Sequence, residues 1–125
     1  MRVKQTVVRD ASALASALSA LQEIAPQLVL VFGATDYFST PASVSALQAA
    51  FPAAKLLGCS TAGEISGEGV NDGSCVVTAV HFDQTELVPA TTTLTSMDDS
   101  RAAGERIGQQ LQHPGLRAVM VYGPG

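Results

Sequence analysis

The sequence predicts an α/β fold in which a mixed β-sheet is covered by helices. In the first half of the chain, three short apolar runs are separated by helix-length segments, and short helical crossovers join parallel strands with a right-handed connection. In the second half, the β-rich runs 75–82 and 86–94 are separated only by Asp83-Gln84-Thr85, a link too short for a helix. Two such runs predict an antiparallel hairpin. The expected architecture is therefore a parallel β-α-β-α-β core with an antiparallel hairpin added.

The first strand and helix follow from the spacing of apolar residues. A short strand is indicated by three valines near the N-terminus: Val3, Val7 and Val8. Asp10 is a suitable N-cap for a helix over 11–25, which Pro26 ends. Apolar residues at helical spacing predict one buried stripe on this helix: Leu14, Leu18, Leu21 and Ala25. The run LVLVF at 28–32, apolar on both faces, is typical of a central strand in a covered sheet.

A second helix is predicted after a polar loop. Thr40 and Pro41 combine a cap residue with a proline at the first helical position, and Pro52 ends the helix. The residues expected to face the core are Val44, Leu47 and Phe51. Residues 55–58 then predict a third strand, which leads into the glycine-bounded loop 58–64.

The last third of the chain predicts one helix and one strand. Ser96 followed by Asp99 fits a capping pattern for a helix that ends near Gln112. The buried side of this helix is expected to hold Ala103, Ile107 and Leu111. Residues 116–122 predict the last strand, and the chain stops directly after it. We therefore expect residues 1–125 to be the N-terminal part of a domain that continues in a longer protein.

Composition and charge exclude several classes of protein. Apolar residues make up 46% of the chain and charged residues 14%, which is a globular composition. The net charge of −4 and the scattered Lys and Arg residues argue against nucleic-acid binding. No signal peptide is visible, and the longest apolar stretch, 28–32, is too short to cross a bilayer. Two cysteines are too few for a disulfide scaffold, so we expect a cytoplasmic protein.

The polar residues that follow the predicted parallel strands form a candidate binding site. In parallel α/β sheets, ligands bind beyond the carboxyl ends of the strands. The loops 33–40 (GATDYFST) and 58–64 (GCSTAGE) meet that rule, and the turn YGPG at 122–125 would join them if the last strand were parallel. Polar side chains on an apolar layer are typical of a small-ligand site. The candidate ligand-binding residues are Asp36, Tyr37, Ser39, Thr40, Cys59, Ser60, Thr61 and Glu64.

The loop 58–64 also has a plainer interpretation. On its own it is explained as a tight turn whose hydroxyls bond to their own backbone. Cys59 or Ser60 could be the nucleophile of an enzyme, but a nucleophile needs a base beside it. Neither of the two histidines lies near these residues in the sequence. A buried, unreactive Cys59 is therefore the expectation, and we do not expect an enzyme.

The two histidines are candidate ligands for a metal or a haem iron. His81 ends an alternating run with Cys75, Val77 and Ala79, and an imidazole there could bind a haem iron or another metal. An ordinary hydrogen bond at a strand end explains it more simply. His113 lies at a predicted helix C-terminus, where it suits the helix dipole without a ligand.

The stretch 57–82, LGCSTAGEISGEGVNDGSCVVTAVHF, resembles the signature block of the N-terminal half of the FIST sensory domain. In that family an apolar strand ends in GCSTAGEI, here residues 58–65, and a glycine-rich connection leads to a second strand. The matching positions of that strand and its approach are Gly73, Ser74, Val76 and Val77. The upstream helix and the run 28–32 fit as well, so the resemblance covers essentially the whole chain.

The resemblance implies an intracellular sensory module for signal transduction. Such a module would bind a small ligand, such as an amino acid or a similar metabolite, and would report to a signalling partner. A subset of the family binds haem and senses nitric oxide beside a histidine kinase, for which His81 would be the candidate ligand. The resemblance also implies that the rest of the N-terminal half and a C-terminal FIST half follow Gly125.

Overall fold

The computed structural model describes residues 1–39 and 41–123. The chain divides into two units, Met1–Glu86 and Leu87–Gly125. Among the described residues, all β-strands lie in the first unit, and the second unit contains one α-helix. Thr40, which was predicted to cap a helix and to line the site, lies outside the described residues.

A four-stranded mixed sheet forms the centre of the first unit. The strands of the unit are β1 (Arg2–Val8), β2 (Leu28–Gly33), β3 (Lys55–Ser60), β4 (Glu64–Ser66), β5 (Gly69–Asn71) and β6 (Cys75–His81). The order across the main sheet is β1-β6-β2-β3. Strand β6 runs antiparallel to both β1 and β2, whereas β2 and β3 are parallel. Strands β1, β2 and β3 therefore all point in one direction, and the predicted mixed α/β sheet is confirmed.

The particular hairpin predicted between 75–82 and 86–94 is wrong. Strand β6 lies between β1 and β2, so both of its hydrogen-bonding edges are occupied. Ala79, for example, pairs with Lys4 on one side and with Val29 on the other. No edge of β6 remains for residues 86–94, which form no strand. The antiparallel hairpin of this fold is instead β4 with β5.

Short helices cover one face of the sheet. The helices are α1 (Leu14–Ala17), α2 (Ser19–Gln22) and α3 (Pro41–Ala50), and single 3₁₀ turns lie at Ala11–Ala13 and Thr35–Tyr37. Their apolar side chains meet alternate residues of the strands, as the two-residue period of a strand requires. The buried cluster includes Leu14, Leu18, Leu21, Leu47, Phe51, Val8, Val29, Val31, Cys75, Val77 and Ala79. Burial of this apolar face is the main term that stabilises the unit.

Two positions of the predicted helices differ from expectation. Ala25 is exposed and has a φ of 48°, the left-handed conformation in which many helices end, and Pro26 cannot continue the helix. The helix therefore ends earlier than predicted. In α3, Val44 is 40% exposed, and the buried positions are Ser43 and Leu47, which lie four residues apart on one side of the helix.

The second unit contains α4 (Ser100–Gln110), preceded by a 3₁₀ turn at Met97–Asp99. A helix was predicted here with Ser96 as its cap. The backbone N–H and the hydroxyl of Thr95 instead donate to Oδ2 of Asp99, at 3.3 and 3.2 Å. The helix is confirmed, and its start is organised by Asp99.

The segment 86–94 was predicted as a strand, but its backbone bonds to side chains of α4. Gln110 Nε2 donates to the carbonyl oxygen of Thr91 at 2.9 Å, and Arg106 Nη2 donates to that of Thr93 at 2.8 Å. Two backbone acceptors of this segment are thus bonded to side chains of α4 rather than to a neighbouring strand.

The last predicted strand, 116–122, is also wrong, since these residues have no strand conformation. A strand needs a neighbour that accepts and donates its backbone hydrogen bonds. Within the described part of the second unit no other segment is a strand. Apolar residues of the segment remain exposed instead, and Val121 is 74% exposed. Apolar content alone was therefore misleading here.

Candidate functional site

The two predicted loops start side by side at one end of the sheet. Strand β2 ends at Gly33 and β3 ends at Ser60, and these residues are partners in the parallel register. Thr61, the first residue beyond β3, donates its backbone N–H to the carbonyl oxygen of Gly33 at 2.9 Å. The carboxyl ends of two parallel strands thus meet, which is the usual place for a ligand in an α/β sheet.

The start of β6 reaches the same end of the sheet. Cys75 pairs with Gly33, and the carbonyl oxygen of Ser74 accepts the backbone N–H of Ala34 at 2.9 Å. A Cβ atom at Gly33 would lie 3.1 Å from both Cβ and Sγ of Cys75. A larger residue at Gly33 would therefore press against β6, so glycine allows this close approach.

The loop 33–40 presents some of its polar groups and buries another. Asp36 and Ser39 are exposed, and the Ser39 hydroxyl donates to the carbonyl oxygen of Asp36 at 2.8 Å. Tyr37 is buried in the core, where its hydroxyl donates to the carbonyl oxygen of Val8 at 2.8 Å. Burial raises the pKa of Tyr37, so the phenol stays neutral. Tyr37 anchors the loop to the end of β1.

The loop 58–64 is organised by the buried side chain of Glu64. This carboxylate belongs to a residue only 1% exposed. Its Oε1 accepts the hydroxyl of Thr61 at 2.7 Å. Its Oε2 accepts both the backbone N–H of Ser74 at 3.1 Å and the Ser74 hydroxyl at 2.8 Å. Glu64 thus joins the loop after β3 to the residue before β6.

The hydrogen bonds decide the charge state of Glu64. Burial raises the pKa of a carboxylic acid, but the bonds from Thr61 and Ser74 lower the pKa of Glu64 by more than burial raises it. The pKa therefore lies below its usual range, and Glu64 is a carboxylate at neutral pH. None of the salt bridges found in residues 1–39 and 41–123 involves it. The donors found for its carboxylate among the described residues are neutral groups of Thr61 and Ser74.

The first glycine of GCSTAGE is required by the contact between β3 and β2. Gly58 is the register partner of Val31, and a Cβ atom at Gly58 would lie 1.8 Å from the carbonyl oxygen of Val31. No side chain fits there without movement of β3. Gly63 at the other end of the loop is different, since its Cβ would approach only the carbonyl oxygen of Asn71, at 3.6 Å.

Comparison with known proteins decides the family. A family model described as FIST N domain matches residues 27–125, which is most of the chain. The chain belongs to the FIST N domain family. No curated protein and no solved structure matched it.

A FIST domain is a sensory domain of signal transduction, so a binding role fits this chain.

The helices formed by residues 1–39 and 41–123 include none that is both long and apolar enough to cross a membrane. Within the same residues, no three side chains of His, Cys, Asp or Glu come together as a group that could hold a metal ion.

The predicted site residues of the FIST domain fall into two groups. Asp36, Ser39, Cys59 and Ser60 are exposed near the joined strand ends. Tyr37 and Glu64 turn inward and hold the loops in place, Thr61 is half-buried between the two groups, and Thr40 lies outside the described residues. Ser74 was not among the predicted site residues, although it bonds to both loops. Its position directly before a buried strand was the available signal.

His81 lies at the opposite end of β6 from the two loops. It lies six residue steps along the strand from Cys75, which is about 20 Å. Its Nδ1 is 2.9 Å from the carbonyl oxygen of Ala25, and its Nε2 is 3.8 Å from Oδ1 of Asp83. Asp83 also forms an exposed ion pair with the Met1 ammonium group. These exposed charged neighbours do not fit a haem, which needs an apolar slot.

The proposed nucleophiles lack a base in this geometry. Cys59 is exposed, which is contrary to the expected burial, because β3 is at the edge of the sheet. Among the described residues, no hydrogen bond joins Cys59 Sγ or Ser60 Oγ to a histidine or a carboxylate. A nucleophile needs such a partner for activation.

A shallow cavity of about 290 Å³ lies at the other end of β2 and β3. Its lining is mostly Ala, Pro and Phe51, with Gln22 and Gln27 as the polar members. Both glutamines already have partners: Gln22 Nε2 donates to the carbonyl oxygen of Ala50 at 2.8 Å, and Gln27 Oε1 accepts the N–H of Phe82 at 2.6 Å. The cavity therefore offers few free polar groups to orient a ligand.

Proposed function

We propose that this FIST domain senses a small polar ligand, such as an amino acid or a similar metabolite, at the mouth formed by loops 33–40 and 58–64. The bond from the Thr61 N–H to the Gly33 carbonyl oxygen supports the proposal, because it brings the ends of two parallel strands together. The proposed site comprises the exposed Asp36, Ser39, Cys59 and Ser60, the half-buried Thr61, and Thr40, with Tyr37 and Glu64 holding its loops in place.

The charges of the two loops favour a ligand with a positively charged amino group. Asp36 is exposed and is the one charged residue of the loop 33–40. Glu64, the one charged residue of the loop 58–64, is already hydrogen-bonded inside the fold. We therefore assign Asp36 to the amino group of the ligand. Its charge-assisted hydrogen bond would supply a large share of the affinity.

The other end of an amino acid would need neutral donors. Neither loop contains Lys or Arg. Hydroxyl groups such as that of Ser60, together with backbone N–H groups, would therefore bind a ligand carboxylate. The N-terminus of α3 follows the loop 33–40 directly, and a helix N-terminus favours negative charge.

Calorimetric titration of a panel of amino acids and related metabolites tests the proposal. The FIST N domain match supports the inference that residues 1–125 are the N-terminal part of a FIST-type domain, so the titration uses the full-length protein. Saturable binding is expected, and Asp36→Asn should weaken it about tenfold or more by removing a charge-assisted bond. Asp72→Asn, the same change at an exposed aspartate after β5, is the matched control. Absence of binding by the folded protein, or equal affinity in Asp36→Asn and wild type, would overturn the proposal.

We propose that the domain reports to a signalling protein in the cytoplasm, such as a histidine kinase. The family supports a signalling partner, and the two free cysteines, with Cys59 exposed, agree with a reducing compartment. Kinase autophosphorylation measured with and without the ligand tests this part. A ligand that binds without changing kinase activity or kinase affinity would rule out a kinase as the partner.

A further inference from the structure

The β4–β5 hairpin is a small element attached to the loop 58–64. Each of its strands has three residues, and a two-stranded hairpin of that size has marginal stability by itself. The hairpin exposes its apolar side chains and buries a charged one. The cross-strand partners Ile65 and Val70 point outward and are 78% and 81% exposed, whereas Glu64 on the same strand is buried. The hairpin is therefore held by polar contacts at its ends rather than by an apolar face.

The first attachment is the set of side-chain hydrogen bonds between Glu64, Thr61 and Ser74, which we call the Glu64 latch. Glu64 is the first residue of β4, so its backbone belongs to the hairpin while its side chain is fixed inside the fold. Three donors converge on one buried carboxylate, and such bonds are among the stronger ones in proteins. The latch fixes where the hairpin begins.

The second attachment is at the exposed surface beside β1. Arg9 Nη2 bonds to Oε2 of Glu68 at 2.6 Å and to Oδ1 of Asn71 at 3.1 Å, and the N–H of Gly67 donates to Oε1 of Gln5 at 2.9 Å. Exposed ion pairs such as Arg9–Glu68 contribute little stability. The surface contacts alone are therefore a weak attachment, and the latch dominates.

Thr61 connects the latch to the mouth between the two loops. Its N–H is bonded to Gly33, and its hydroxyl is bonded to Glu64. A ligand acceptor that took the Thr61 hydroxyl would leave Oε1 of Glu64 without the one hydrogen bond found for it among the described residues. A buried carboxylate oxygen without a donor is unfavourable, so the latch would weaken and would hold the start of β4 less firmly.

We propose that the Glu64 latch couples the state of the loop 58–64 to the position of the β4–β5 hairpin, which is the moving element of this domain. Ligand binding as the trigger rests on the proposed function. The coupling itself is a property of the chain and is testable without a ligand.

Hydrogen-exchange mass spectrometry on the full-length protein tests the coupling. Thr61→Val keeps the shape of the side chain and removes the hydroxyl, and Glu64→Gln removes the charge. In both variants the amides of the hairpin, 65–71, should exchange about tenfold faster, while those of β2 and β6 change by less than about twofold, because only the hairpin loses its attachment. Thr61→Ser, which keeps the hydroxyl, should restore slow exchange.

Glu23→Gln is the matched control, since it makes the same chemical change at an exposed carboxylate paired with Lys4, away from the hairpin. It should leave hairpin exchange unchanged. Unchanged hairpin exchange in Thr61→Val would overturn the proposal, and so would an equal acceleration of the hairpin and the whole sheet. If the hairpin loosens as expected but no ligand binds, the coupling stands and the proposed function fails. If a ligand binds but hairpin exchange does not change in Thr61→Val, the proposed function stands and the coupling fails.

Discussion

Ser74 donates both its backbone N–H and its hydroxyl to the same oxygen of Glu64, at 3.1 and 2.8 Å. Both residues are buried, so these bonds do not compete with water. The pair joins two parts of the chain that lie ten residues apart. Burial acts against the charge of Glu64, but the bonds from Thr61 and Ser74 together lower its pKa and keep it ionised.

Ser74→Ala should destabilise the first unit measurably. The variant removes the hydroxyl donor and leaves a buried carboxylate with fewer partners, so the free energy of unfolding should fall by about 1.5 to 3 kcal/mol. The folded state lowers the pKa of Glu64. Its hydrogen bonds therefore stabilise the fold at pH values above the usual pKa of glutamate, and this stabilisation is lost as the pH falls through the lowered pKa. Urea unfolding at neutral and at acidic pH should therefore show a difference from wild type that shrinks in acid.

Ser45→Ala provides the comparison, because Ser45 is exposed on α3. Its effect should stay within about 0.5 kcal/mol, as is usual for surface substitutions. If Ser74→Ala were equally harmless, the bond to Glu64 would not contribute to stability.

Gly58→Ala should be poorly tolerated for a steric reason. The added methyl group would lie 1.8 Å from the carbonyl oxygen of Val31, so β3 would have to move away from β2. We expect a loss of about 3 kcal/mol or more in the free energy of unfolding, at the upper end of overpacking effects. Gly63→Ala meets only an ordinary contact at 3.6 Å and should cost far less. Thermal unfolding of both variants measures this, and equal losses would contradict the steric argument.

The parallel strands were well predicted, because the residues of each strand indicate that strand without reference to its neighbours. The run 28–32 is apolar on both faces, and such a run is suited to a central strand whatever its neighbours are. The adjacency of the loops 33–40 and 58–64 follows from the same rule, since neighbouring parallel strands end at one edge of a sheet. The contact between Thr61 and Gly33 agrees with that expectation.

The position of β6 could not be predicted, because a strand does not encode its neighbours. Residues 75–82 were assigned to a hairpin with the next β-rich run, but β6 inserts between β1 and β2. The consecutive apolar residues Cys75, Val76 and Val77 were the available signal, and all three are buried. Consecutive buried residues indicate a central strand with both edges occupied, and not the outer strand of a hairpin.

The inward orientation of Glu64 was equally hidden from the sequence. Glutamate is rarely buried unless it is paired, so a residue in a polar loop was placed at the surface of the site. Its partners are Thr61, three residues earlier, and Ser74, ten residues later. The second partner depends on the three-dimensional path of the hairpin, which no local pattern reveals.

Asp99 and Arg106 should control the acid sensitivity of the second unit. The hydrogen bond from Arg106, joined by a bond from Thr95, lowers the pKa of Asp99 to about 2. Because this pKa is lowered, the pair stabilises the second unit at pH values above the usual aspartate pKa of about 3.9. This stabilisation is lost as the pH falls through about 2. In Arg106→Gln the carboxyl resonance of Asp99 should titrate nearer its usual value. Arg101→Gln, which removes only the exposed pair with Glu105, should leave the titration unchanged. An unchanged Asp99 titration in Arg106→Gln would contradict the assignment.

The two cysteines should differ strongly in reactivity. Cys59 is exposed on the edge strand β3, whereas Cys75 is buried, and burial together with the nearby Glu64 raises the pKa of its thiol to about 11. Only the thiolate reacts with iodoacetamide, so native protein should be alkylated at Cys59 while Cys75 reacts only when the fold opens. Mass spectrometry of peptides after timed labelling measures both rates. Equal labelling rates for the two cysteines in native wild-type protein would show that β6 is not buried as described.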